Sequence, residues 1–530
     1  MTSRHKFQPL DRAASTVIVL VSLAIVAMLL LGSQALPSVR TFSWQGQRVA
    51  ASDVAFVLTF NQPVVPESVE ENLVIEPVLF GKVSWAGRRM AYTLDAPAPY
   101  GESYKLTLPK AQALSGQAGF EPFESEFETR DRAFVYIGAE GEETDRLVLF
   151  NLTTKKKTLL TPAGQTVLDF QPYPERDRIL FSAVDTSIET DRIASAQIYS
   201  ITTGLGPVST PPFWQFWQKA STAEAGNVEL ILNNENFQNL KFDLAANGET
   251  IVVQRVSQSD PADFGPWIIK PGAAPRKLNT EPGGDFRIAP DSVSLLLQQG
   301  QGTAVIDLEP DLDETESNAL LLDFLPEYGL TLDIADDGSA AALVNFNQDN
   351  PEERFTQSLF WVSNRGEEKL LLQTDGAILS AEFNENNEIL YCVVNRLLRN
   401  NRSDEAEIED LALNELEEED AIGLLEEDFS FSPYLTAINV KTGQEQKLLE
   451  MPPQPELTVS LSPDGLAILF DEALINEAQT SSLPEDYEGP TSRLWLLPLF
   501  ATLEERVLRE PIPLLPTELD IAGRHPTWLP

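Results

Sequence analysis

Four acids and one arginine recur at a single position of a repeated phrase. The phrase is clearest at Leu461–Phe470, LSPDGLAILF, and looser copies begin at Phe170, Leu244, Ile288, Ile334 and Phe383. The residue just before each copy's apolar start is Asp169, Asp243, Arg287, Asp333, Glu382 and Ser460, and Thr527 extends the column at the C-terminus. If these residues converge, two chemistries follow. A partly acidic ring would bind a cation or cationic ligand, with Ca2+ as the candidate ion. Two positioned carboxylates could also serve as acid and base on a glycosidic bond. A third reading needs no ligand: a repeated acid can accept hydrogen bonds between neighbouring strands.

Other catalytic chemistry has little to work with. The chain holds two histidines, His5 and His525, and one cysteine, Cys392. That excludes a histidine-based metal cluster and an intramolecular disulfide framework. Cys392 lies in ILYCVV and reads as a buried thiol. No Gly-x-Ser-x-Gly elbow and no phosphate-binding glycine loop occurs. Phe213, Trp214, Phe216 and Trp217 crowd one short stretch, which suits packing back on its own domain, a partner contact or a membrane contact. Residues 403–428 carry thirteen acids without the spacing of a calcium loop, so they read as a solvated loop, with a docking arm for a basic partner as the alternative.

These residues need elements to position them. Asn247, Asp291, Asp337 and Asn386 lie 44, 46 and 49 residues apart, a period expected of a β-propeller. Asn-Gly and Asp-Gly pairs suit a tight hairpin, and strand-like runs such as SLFWVS and EKLLLQT follow. AFVYIGA, from Ala133, opens the region without such a pivot, and HPTWLP ends the chain like a strand that precedes one. The two ends complete each other, which gives seven blades over 131–530 with insertions at 205–227 and 398–432. The region resembles the TolB-like propeller, whose repeat reads Pro-x-Trp-Ser-Pro-Asp-Gly-x-x-Ile-Ala-Phe. Only the copy at Leu461 keeps Ser-Pro-Asp-Gly intact.

Residues 37–130 alternate as half-buried strands: VAFVLTF, NLVIEP, KVSWAG, MAYTLDA, SYKLTLP, FESEFET. The segment resembles the SbsA-type bacterial Ig-like domain through Phe60–Val64, Val74–Pro77, Tyr92–Leu94, Pro99–Gly101, Tyr104–Leu106 and Phe127–Thr129. That resemblance implies a β-sandwich acting as a spacer or adhesive module.

Before it, no residue from Ala13 to Val39 is charged, and residues 16–36 are long enough to span a bilayer. Arg4, Lys6 and Arg12 place the preceding tail, 1–15, in the cytoplasm and the remainder outside. Cleavage after Ser33-Gln34-Ala35 is the rival to a retained anchor. Net charge is −43, from 81 acids against 38 basic residues, which opposes binding to nucleic acid or anionic membrane surfaces.

The expected protein is mainly β: a transmembrane helix, an Ig-like sandwich and a seven-bladed propeller closed by its terminal strands. Its expected place is the inner membrane, single-pass, with the bulk periplasmic. The expected function is non-catalytic, a scaffold or binding module for an envelope protein or glycan, with no bound cofactor. The alternative is a carbohydrate-active propeller enzyme, glycosidase or lyase, using the column carboxylates.

Overall fold

The structure is a computed structural model that describes residues 9–32, 36–116, 119–186, 195–206, 223–309, 321–348, 350–351, 353, 355–399, 429–454, 457–473, 492–502, 505–506 and 511–530. The chain divides into two compact units, residues 1–130 and 131–530. Most of it is strand.

The first unit begins with a helix, Pro9–Gly32. Among the described residues, no helix is long and apolar enough to cross a membrane. Side chains are described there for residues 14–26, whereas the expected span, 16–36, runs beyond them. Two four-stranded sheets follow. One orders Val39–Phe42, Ala55–Phe60, Arg89–Leu94 and Gly81–Ala86; the other orders Arg48–Val49, Phe123–Thr129, Ser103–Leu108 and Val74–Glu76. Strict alternation explains why they pack. In Ser103–Leu108 the side chains of Tyr104, Leu106 and Leu108 are buried, while those between them are not. Such a strand presents one apolar face. Phe42, Phe56 and Phe60 from one sheet share a core with Leu106 and Phe127 from the other. Phe42 meets Phe56 edge-on at 5.3 Å between centroids, and Trp44 tilts against Phe127 at 5.1 Å.

The second unit is built from antiparallel sheets whose strands follow chain order. Five have four strands, beginning with Gln165–Pro172, Phe237–Leu244, Phe286–Ile288, Leu330–Ile334 and Ala377–Phe383. A sixth sheet has seven strands. It runs from Lys156–Leu159 through Leu147–Asn151 and Ala133–Gly138 to the last strand, Thr517–Trp528. From there it continues to Ser492–Pro498, Ala467–Ala473 and Val459–Leu461. The last strand serves two neighbours in turn. Thr517 to Ala522 pair with Ser492–Pro498, and Gly523 to Trp528 pair with Ala133–Gly138. Each sheet is its own ladder, and none closes on itself. The arrangement is consistent with a propeller.

The repeated phrase marks the hairpin between the first and second strands of a sheet. Asn247 Oδ1 accepts from the N–H groups of Glu249 and Thr250, and Asp291 Oδ1 from those of Val293 and Ser294. The next residue takes positive φ in all six copies: Arg176, Gly248, Ser292, Gly338, Asn387 and Gly465. This backbone demand explains the pivot.

Candidate functional site

Strand register decides which side chains stand together. Asp243 pairs with Val252, Arg287 with Leu296, Asp333 with Ala342, Glu382 with Tyr391 and Ser460 with Leu469, each nine positions ahead. In the first copy the residue in that register is Gln171, opposite Leu180. Asp169 pairs with Ser182 and lies two residues upstream. The expected column is therefore corrected at one place. It runs Gln171, Asp243, Arg287, Asp333, Glu382, Ser460, Thr527. The slip has a physical source. Pro172 fills the place taken elsewhere by an apolar start residue, and Phe170 imitated it. A shift of two keeps a side chain on the same face of a strand.

The column has a single consistent activity. Each member with a suitable oxygen accepts the backbone N–H that follows the next member. Gln171 Oε1 accepts from Leu244 at 2.9 Å, and Asp243 Oδ2 from Ile288 at 2.6 Å. Asp333 Oδ2 accepts from Phe383 at 2.8 Å, and Glu382 Oε2 from Leu461 at 2.9 Å. Ser460 Oγ accepts from Trp528 at 3.2 Å. The two remaining steps have clear reasons. Arg287 is a pure donor, so the Ile334 N–H turns to the carboxylate of its own neighbour, Asp333. Thr527 precedes Pro172, which has no N–H to donate. Side-chain links join members directly as well. Gln171 Nε2 donates to Asp243 Oδ1 at 3.1 Å, and the Arg287 guanidinium donates to Asp333 Oδ1 at 3.2 Å.

Burial raises the carboxyl pKa of Asp243 and of Asp333, against the pull of Arg287 and the bonded N–H groups. Glu382 is pushed up to about 8, by burial first and then by the charge of Asp333. These two groups share a small pocket of about 170 Å3 with Asp336, Glu385 and Ser462. Calcium is the candidate ion for such acids, although no bound cofactor is expected. Among the described residues, no three or more histidine, cysteine or acidic side chains are grouped to hold a metal ion.

A second tier lies two residues upstream, on the same strands or immediately ahead of them. It holds His525, Asp169, Lys241, Asp285, Thr331, Ser380 and Thr458, and every member is polar. Thr458 Oγ1 and His525 Nδ1 are 3.1 Å apart, and Lys241 is ion-paired with Asp285. Asp169 senses the charge of His525 and Lys241. Asp169 is exposed to solvent, yet the protein atoms around it raise its pKa. The Thr331 and Ser380 hydroxyls are buried without a hydrogen-bond partner among the described residues. This tier escaped the sequence reading, although period-two alternation on the leading strands signals it. Asp471 ties its ends together, accepting from the N–H of Thr458 at 2.7 Å and of His525 at 2.9 Å.

Phe213, Trp214, Phe216 and Trp217 lie outside the described residues, as does the acidic stretch 403–428. Cys392 is buried, and burial raises its thiol pKa far above the ordinary range.

No family model matches the chain, and no curated protein matches it. Among solved structures, it is similar to TolB from Acinetobacter baumannii, at 9% identity and TM-score 0.37, over 87% of this chain and 83% of that one. An oligogalacturonate lyase from Vibrio parahaemolyticus is similar at 11% identity and TM-score 0.39, over 70% and 91%. A putative 6-phosphogluconolactonase from Bacteroides uniformis is similar at 12% identity and TM-score 0.40, over 75% and 98%.

Proposed function

We propose that the chain is a non-catalytic binding scaffold: a membrane-anchored, Ig-like spacer that presents a seven-bladed, TolB-like propeller to an envelope protein or glycan. One observation carries the non-catalytic reading. The column carboxylates, on which a glycosidase or lyase mechanism would depend, are occupied as acceptors for the backbone of the next sheet. A carboxylate held this way is a poor candidate for a reacting group, because its displacement would leave a buried N–H unpaired. The seven-fold reading is supported by the same chain of bonds. Five of the seven column positions from Gln171 to Thr527 accept the backbone N–H that follows the next member, and the chain's end lies against Ala133–Gly138. The anchor and the periplasmic placement rest on the uncharged run and its basic flank.

The test of the first claim uses the purified full chain with acidic and neutral polysaccharides. Reducing ends and unsaturated uronide absorbance are followed over time. No turnover is expected. Turnover that scales with protein and disappears in Glu382→Gln would overturn the scaffold reading. N-terminal sequencing of the membrane-bound protein tests the anchor, and a mature start at Leu36 would remove it.

A further inference from the structure

Away from the column, the connections at one end of two successive sheets enclose an open pocket of about 410 Å3. That is within the usual size of a small-ligand site. Three segments build it: the turn at Gln301, the link carrying Glu327, and the segment after Asn345. Its lining combines side-chain amides with the phenyl rings of Phe346 and Phe360. Among the described residues, no lysine, arginine or histidine lines it, and two acids do, Glu327 and Glu353.

The amides are held in place yet retain hydrogen-bonding capacity. Gln301 Nε2 donates to Gln348 Oε1 at 2.7 Å. Whichever way the two amides are turned, the linked pair keeps donors and acceptors for something else. Asn345, which lines the pocket, accepts the Asn347 N–H on its Oδ1 at 2.8 Å. Asn347 adopts positive φ and is pinned by its amide to Thr356 Oγ1 and Ser358 Oγ, both at 2.8 Å. It is a positioning residue. Phe346 packs close to Gly329, where an added Cβ would come within 2.6 Å of its ring.

We propose that this pocket binds a neutral sugar unit of a glycan. A hydroxyl both donates and accepts, and amides oppose it with both functions. The apolar face of a pyranose ring suits the flat face of a phenyl ring. The two lining carboxylates, Glu327 and Glu353, disfavour phosphate, sulfate and uronate groups. A peptide fits less well. The pocket lies at strand ends rather than along a strand, so it does not suit strand addition. The proposal deepens the scaffold reading by naming the class of one partner.

The test titrates the full chain calorimetrically with neutral oligosaccharides of glucose, mannose and N-acetylglucosamine, with oligogalacturonate and with a panel of short peptides. A neutral oligosaccharide should bind and oligogalacturonate should not. Gln301→Ala with Gln348→Ala should weaken that binding by about tenfold or more, equivalent to roughly 1.4 kcal/mol. Both glutamines are exposed, so the melting temperature should hold. Gly329→Ala, which displaces the Phe346 ring, should also weaken it. Absence of binding by every neutral oligosaccharide overturns the proposal. So does binding that ignores the double substitution, or displacement of the sugar by a peptide. Such a failure leaves the turnover assay on polysaccharides, and with it the non-catalytic reading, untouched.

Discussion

Glu382 is the residue where burial and charge act most plainly together. Its folded-state pKa rises from an ordinary 4.5 to about 8, so the folded state holds that proton more tightly than the unfolded state does. The sign follows from linkage. Its stabilising contribution is full below the ordinary value and is lost as pH rises through about 8. The protein should therefore melt lower at pH 9 than at pH 6 through this group. Glu382→Gln keeps an oxygen for the Leu461 N–H and should flatten that part of the profile, as calorimetric melts across pH would show. An unchanged slope would mean that the carboxyl titrates normally. Asp243 supplies a second test at this scale. It accepts from the Ile288 and Leu244 N–H groups and from Gln171. Asp243→Ala should cost about 1–3 kcal/mol in urea unfolding, with Asp243→Asn less damaging. The sequence displayed most of this column because acids at a strand start are conspicuous. It hid Gln171, which is neutral, and it hid the hydroxyls of Thr331 and Ser380, whose residue types occur on any strand. Nor could it show the role of the acids, because acceptance from a neighbouring backbone leaves no mark on composition.

At the scale of an element, the hairpin after each leading strand is governed by one backbone angle. Gly248, Gly338 and Gly465 meet it without strain, while Arg176, Ser292 and Asn387 meet it with side chains. Gly338 isolates the effect, since a Cβ there would meet nothing within 4 Å. Gly338→Ala should therefore cost about 1 kcal/mol from conformation alone, read as a shift in the urea midpoint. Asn387→Gly should be neutral or slightly stabilising by the same measurement. If both substitutions were silent, the pivot would not be a backbone requirement. The hairpins were legible because their chemistry is local: Asn, Asp and Gly announce the turn. The sandwich strands were legible because alternation marks a single buried face, as in Ser103–Leu108. Strand bulges were not legible. The leading strands shift register at Val167/Asp169, Asn239/Lys241 and Ile378/Ser380, just ahead of the column. An extra residue in one strand answers to its partner strand, which lies elsewhere in the chain.

For the second unit as a whole, the last residues carry a disproportionate load. Ala133–Gly138 is buried along its full length, and one of its two partner strands is Gly523 to Trp528. Trp528 is nearly enclosed and meets Phe134 edge-on at 5.7 Å; its backbone N–H donates to Ser460 Oγ. Leu529 is buried, and its N–H donates to the Ala133 carbonyl at 2.9 Å. Removing residues 526–530 would leave an apolar strand with an unpaired edge, the feature that natural sheets take most care to cover. The loss combines burial of two large side chains with several backbone bonds, so about 4 kcal/mol or more is expected. That deletion should lower the melting temperature sharply and promote association in sedimentation or light scattering. Leu515→Ala is the control, since Leu515 is 88% exposed and should leave melting unchanged. A single Trp528→Ala separates the contributions. If edge pairing dominates, it should destabilise without changing the state of association. If the short deletion melted like the intact chain, the terminal strand would not be joining the two ends of the unit, and the seven-fold reading would fail with it.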